Sequence, residues 1–125
     1  MAANCDKVIL LKPFKTEWKI MVKIIRLWRR YSIRGIESIE MVLLDASGDK
    51  IHATVKRDLV PQFEPFVEEG DTKIMINFLA CQSSVSYRTT KHPYKIQFIA
   101  TTRLRFCDKF SYRLTGLDLS VFVKS

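Results

Sequence analysis

The chain has 125 residues, 47% hydrophobic and 27% charged, enough for one domain around a single core and too apolar for a disordered segment. Twenty-one Lys+Arg against 13 Asp+Glu leave a net charge of +8, which favours a polyanionic partner, nucleic acid ahead of an anionic membrane surface. Cys5, Cys81 and Cys107 are far apart, odd in number and without a C-x-x-C pair, which argues against a disulfide scaffold and a structural zinc site and suits a reducing compartment.

Residues 1–16 read as an N-terminal arm in which Pro13 stops any regular element. Its apolar run Val8–Leu11 is too short for a signal-peptide core or a membrane span. From Trp18 the chain alternates, with Trp18, Ile20, Val22 and Ile24 on one side and Lys19, Met21 and Lys23 on the other, the period of a strand. At Ile24–Ile25 two apolar residues become adjacent, so the alternation shifts there at a bulge or bend. RLWRRYSIRG, residues 26–35, reads as the following loop.

SIEMVLLD, residues 38–45, is apolar enough for a largely buried second strand. The turn ASGD, with Gly48 free to take positive φ, joins it as a hairpin to KIHATVK. That third strand sends Ile51, Ala53 and Val55 to the core and Lys50, His52, Thr54 and Lys56 outward. A helix is predicted from Asp58 as N-cap, with Pro61 in its first turn and Gly70 as its stop. Val60, Phe63, Phe66 and Val67 form its apolar stripe. KIMINFLA, residues 73–80, is a fourth strand, 81–94 a loop, and KIQFIA, residues 95–100, a fifth strand. In the tail, Leu117, Leu119, Val121 and Val123 alternate.

Three strands, a helix and two more strands, the first long and bent, predict an all-β fold with one helix. The arrangement is that of a five-stranded oligonucleotide/oligosaccharide-binding (OB) barrel, with the helix between strands three and four. The barrel is expected over 17–103, with 104–125 as a C-terminal extension, either a strand or a linker to a further domain. A small β-sandwich or another small barrel is the alternative from periodicity alone.

The charge is concentrated. Residues 26–34 carry Arg26, Arg29, Arg30 and Arg34 without an acid, and residues 86–105 carry Arg88, Lys91, Lys95, Arg103 and Arg105 without an acid. Nine of the 13 acids lie between Glu37 and Asp71, on or beside the predicted helix. In an OB barrel the two basic segments flank one ligand groove and the helix lies away from it. Trp28 and Tyr31 are interleaved with the first set of charges, Tyr87 and Tyr94 with the second. Cations following phosphates and rings stacking on unpaired bases are what single-stranded nucleic acid requires, and stacking tolerates any base. Each ring also has a structural role open to it: Trp28 as core at a strand end, Tyr94 as scaffold beside Pro93. Tyr87, between Ser86 and Arg88, is the best stacking candidate. His52 reads as a polar strand residue rather than a metal ligand.

RLW (26–28), SIEMVLLDASGDKIHATV (38–55) and YRTTKHPYKIQF (87–98) resemble the DNA-binding OB domains of plant replication protein A large-subunit-like proteins. The similarity runs from about Lys12 to Phe106. It implies an OB fold, single-stranded DNA binding and a nuclear role in DNA replication, repair or recombination. By position it places first-loop basic contacts on Arg26 and Arg34, the loop aromatic on Trp28, a basic strand-three contact on His52 and the stacking ring of the four–five loop on Tyr87. The chain departs from animal members in carrying Lys56 where they have a second ring, and Lys95 where they have an acidic groove residue. Family large subunits carry several OB domains and a zinc-bearing one; a single domain without a zinc motif implies modest affinity.

The candidate nucleic-acid-binding residues are therefore Arg26, Trp28, Arg30, Arg34, His52, Lys56, Tyr87, Arg88, Lys91 and Lys95, with single-stranded DNA as the partner and no cofactor or membrane. Other replication protein A subunits or OB domains are further candidate partners. The competing readings are an OB interaction module for proteins with weak or no nucleic-acid binding, and RNA binding. An enzyme is not expected: the chain has no G-x-x-x-x-G-K, no G-x-S-x-G and no metal-ligand spacing, and neither His52 nor His92 has an evident nucleophile beside it.

Overall fold

The computed structural model describes residues 5–13, 15–82, 92 and 94–106. The alternation after Trp18 forms β1, Lys19–Ser32, with Ile20, Val22 and Ile24 fully buried. The apolar doublet is a β-bulge: Ile24 pairs with Leu43 and Arg26 with Val42, leaving Ile25 as the extra residue. A one-residue insertion reverses the facing of everything beyond it. Even-numbered side chains point into the core before the bulge and away from it afterwards, where Leu27 packs on the core instead.

β1 does not end in a loop at Arg26. It continues to Ser32 and pairs with β2, Gly35–Asp45, as one long hairpin that turns at Ile33 and Arg34. Residues 26–32 are strand because β2 offers them a ladder of hydrogen-bonding partners, with a second register shift between Arg30 and Tyr31, which the local composition did not reveal. Gly35 closes the turn at φ 109°. β3, Lys50–Lys56, follows the predicted turn, in which Asp45 Oδ1 accepts the N–H groups of Ser47 and Asp49, both at 3.0 Å.

The predicted helix is shorter and mixed. A 3-10 turn Arg57–Leu59 leads into α1, Val60–Phe63, and a second 3-10 turn Glu64–Phe66 ends it. Pro65 has no N–H to donate to Pro61, so the α pattern stops there. Asp58 lies inside the first 3-10 turn and makes no capping bond. Val60, Phe63 and Val67 are buried as expected, whereas Phe66 is 59% exposed.

The fourth predicted strand divides into β4, Thr72–Ile76, and β5, Leu79–Gln82, about a break at Asn77 with φ 66°. Of the fifth, predicted over 95–100, only β6, Tyr94–Gln97, forms; β7, Arg103–Phe106, was not predicted and carries the barrel past 103 into what was expected to be the C-terminal extension. Thr102 sits between the two breaks: its hydroxyl donates to Asn77 O at 2.6 Å and accepts from Ile99 N at 2.9 Å.

Pairing runs β5-β6-β3-β2-β1-β4-β7, with β3 and β6 parallel and every other pair antiparallel. β4 and β5 are halves of one interrupted strand, so the two ends of the sheet meet and it closes on itself. Counting the interrupted strands once, this is a five-stranded OB barrel with its helical segment between strands three and four.

Ile39, Met41, Leu43, Ile51, Val55, Phe78, Ile96 and Phe98 fill the interior, and Phe63 of α1 closes on Phe98 edge-to-face at 4.9 Å. The N-terminal segment also enters this core. Val8 is fully buried and Leu11 nearly so. Val8 N–H donates to Asp45 Oδ2 at 2.9 Å, and its carbonyl accepts from His92 Nε2 at 2.8 Å. His92 Nδ1 accepts from Tyr94 N–H, so the ring links this strap to the start of β6.

Candidate nucleic-acid interface

Directly paired residues on adjacent strands present their side chains on the same face of a sheet. The register therefore builds the outer face of β1–β2–β3 as three rows. Arg26, Val42 and His52 form the first, Trp28, Glu40 and Thr54 the second, and Arg30, Ser38 and Lys56 the third. Rows two residues apart along a strand lie about 7 Å from one another. The face continues onto β6, where Gln97 pairs with Thr54 and Lys95 shares Gln97's side of the strand, opposite buried Ile96.

The bulge at Ile25 creates this face. Without it Arg26, Trp28 and Arg30 would continue the inward series of Ile20, Val22 and Ile24. Arg29 points the other way and makes a 2.9 Å ion pair with Glu64. Among the described residues, no ion pair engages Arg26, Arg30, Lys56 or Lys95. Arg34 stands exposed at the hairpin turn, its N–H bonded to Ser32 Oγ at 3.1 Å. The structure thus brings Arg26, Trp28, Arg30, His52, Lys56 and Lys95 onto one surface and puts Arg34 at its end. Tyr87, Arg88 and Lys91 lie outside the described residues.

Trp28 is half-buried rather than core. Its ring and that of His52 form a T-shaped pair with centroids 5.6 Å apart and an interplanar angle of 83°, and the Arg26 guanidinium carbon is 6.0 Å from its ring centroid. Trp18 is the core tryptophan, 4% exposed, its indole N–H donating to Lys15 O at 3.1 Å.

Glu40 was not among the sequence candidates, yet it occupies the centre of the face. It is 6% exposed. Its carboxylate accepts hydrogen bonds from Ser38 Oγ at 2.6 Å, His52 Nε2 at 2.6 Å and Thr54 Oγ1 at 2.7 Å. Burial alone would raise this carboxyl's pKa. The hydrogen bonds from His52, Ser38 and Thr54, with the His52 charge, outweigh burial and hold it below the ordinary value of 4.5. An ionised carboxylate only accepts, so the Nε2 proton belongs to His52. The signal for Glu40 was present in the alternation of SIEMVLLD: with 39, 41 and 43 inward, 38, 40 and 42 must face outward. The apolar content of that run obscured it.

No group of three or more His, Cys, Asp or Glu side chains among the described residues is arranged to hold a metal ion. The chemistry the face offers is phosphate binding by unpaired cations, stacking on one indole and hydrogen bonding from Gln97.

The chain superposes on a replication protein A heterotrimer bound to ssDNA with a TM-score of 0.69 and 21% identity, covering 82% of this chain and 24% of that one. It thus spans about a quarter of that subunit. DNA binding domain A of S. cerevisiae replication protein A matches with a TM-score of 0.62 and 19% identity over 83% of this chain and 94% of that domain. Schizosaccharomyces pombe Pot1pC bound to ssDNA matches with a TM-score of 0.63 and 9% identity, over 98% and 99% of the two chains. At these identities the likeness establishes the OB fold. Among curated proteins no sequence relative matches the chain. The family match extends over residues 9–122, nearly the full length, and the chain belongs to the DUF223 family, a domain of unknown function.

Proposed function

We propose that this domain binds single-stranded DNA, without catalysis and with little sequence preference, on the outer face of β1–β2–β3. The observation that carries the proposal is the register of the face, which sets Trp28 between a row bearing Arg26 and one bearing Arg30 and Lys56. Cations on either side of a stacking ring accommodate a strand whose phosphates run outside its bases. The shared fold with OB domains solved on ssDNA supports this reading. We further propose a nuclear role in replication, repair or recombination, as the sequence resemblance to replication protein A large-subunit-like proteins implies, with other OB domains or replication protein A subunits as partners that raise a modest single-domain affinity by linkage.

The test is an anisotropy titration of the 125-residue chain with single-stranded DNA, duplex DNA and single-stranded RNA oligonucleotides across a salt series. Neutralising three phosphates of a single strand gives a log–log salt slope of about −2. Duplex binding as tight as single-strand binding, or a slope near zero, would refute the proposal; a marked preference for RNA would reassign the polymer.

A further inference from the structure

Stacking on a half-exposed tryptophan is effective only if the ring is already held where a base will meet it, because a ring that must be ordered on binding loses part of the gain to entropy. Trp28 lies on the hairpin beyond the bulge, away from the apolar core that fixes Trp18. What it meets instead is the His52 ring, in a T-shaped pair with centroids 5.6 Å apart and planes at 83°. His52 is itself fixed by Glu40 at 2.6 Å, and Glu40 is fixed by Ser38 and Thr54 at 2.6 and 2.7 Å.

We infer that Glu40 and His52 are a positioning pair for Trp28, holding its indole as a preformed stacking platform, and that His52 is not a phosphate contact. This rests on the single-strand reading above. Every donor around the Glu40 carboxylate comes from β2 or β3, so the orientation of a ring on β1 is set from two strands away. The ordinary role of an acid on such a surface would be to repel phosphate. Here its charge is enclosed by three donors and its effect passes to DNA through the orientation of an imidazole.

The protein has two tryptophans, so incorporation of 5-fluorotryptophan gives two fluorine resonances, with Trp28 assigned by Trp28→Phe. In the free protein, Glu40→Gln and His52→Gln should each move the Trp28 resonance and leave Trp18 in place. His52→Gln keeps an N–H donor for Glu40 while removing the ring. An unmoved Trp28 resonance overturns the inference, and so does displacement of both resonances by His52→Gln, which would make the pair general scaffold.

On DNA, Trp28→Ala should weaken single-strand binding about 5- to 150-fold. His52→Gln should weaken it at least about threefold in the wild-type background and have almost no further effect once Trp28 is alanine, the non-additivity of coupled groups. The salt slope should not change. Losses that multiply, or a slope reduced by about 0.7, would make His52 an independent DNA contact and overturn the inference. If the wild-type chain binds no single-stranded DNA, the functional proposal fails, and the fluorine spectra still decide whether the pair orients Trp28.

Discussion

Replacing Asp45 by alanine removes one carboxylate that holds two separate segments. Its Oδ2 accepts the N–H of Val8 in the N-terminal strap at 2.9 Å, and its Oδ1 accepts those of Ser47 and Asp49 in the β2–β3 turn, both at 3.0 Å. Asp45 is 4% exposed and Val8 fully buried, so in the variant the Val8 N–H loses its acceptor with no ready access to water. That unsatisfied donor costs about 1–3 kcal/mol. The Ser47 and Asp49 N–H groups are nearer the surface, where water replaces most of the lost bonding, and they add about 1 kcal/mol. The expected loss is about 2–4 kcal/mol, roughly 8–15 °C in Tm for a domain of this size. Thermal unfolding followed by circular dichroism at neutral pH, with urea unfolding alongside, measures it. Because Asp45 lies toward the strap and outside the three-row face, single-strand affinity below the melting transition should stay within about twofold. A loss below about 1 kcal/mol would refute the account of the strap, and a parallel collapse of DNA affinity would refute the separation of scaffold from face.

Two further predictions follow from the geometry. Arg29 and Arg30 are neighbours in sequence on opposite sides of β1: Arg30→Ala should lower the salt slope of single-strand binding by about 0.7, while Arg29→Ala, which breaks the pair with Glu64, should leave it unchanged. Equal slopes in the two variants would contradict the register. Glu40 has its carboxyl pKa lowered in the folded state from the ordinary value of 4.5, so its stabilising effect is fully present above that value and is lost as the pH falls through the lower folded one. Urea midpoints measured from about pH 5 down to pH 3 should decline less steeply in Glu40→Gln than in wild type; matching declines would show that the carboxylate is not held by its three donors.

Much of the scaffold is visible in the residues. The alternation from Ile20 to Ile24 and the apolar doublet at Ile24–Ile25 announce a strand with a bulge, and Asp45 to Asp49 announce a hairpin turn. These signals are local, since each depends on side chains within a few positions of one another. The breaks at Asn77 and at 98–102 were not visible, because each is bonded to the other through Thr102 across the barrel. The short helix was over-read because its apolar spacing is regular while its two prolines, Pro61 and Pro65, limit the hydrogen bonds that spacing requires.

The candidate site shows the same division. Composition and charge clustering alone bring out Arg26, Trp28, Arg30, Arg34 and Lys95 as cations and a ring in acid-free stretches of the chain, whereas Lys56 came from the family resemblance. They could not separate Arg29 from Arg30, because facing beyond a bulge depends on which residue the partner strand skips. Nor could they distinguish a loop from a ladder at 26–32, which β2 decides by offering its backbone groups. The outward facing of Glu40 was legible in the alternation of its strand, but its partner was not: an acid 12 positions from His52 becomes its partner only when β2 and β3 lie side by side. The chain's own pattern was sufficient for an OB barrel with a basic side. Cross-strand register alone decided which residues share that side, because hydrogen-bonded pairing sets neighbours that sequence distance does not.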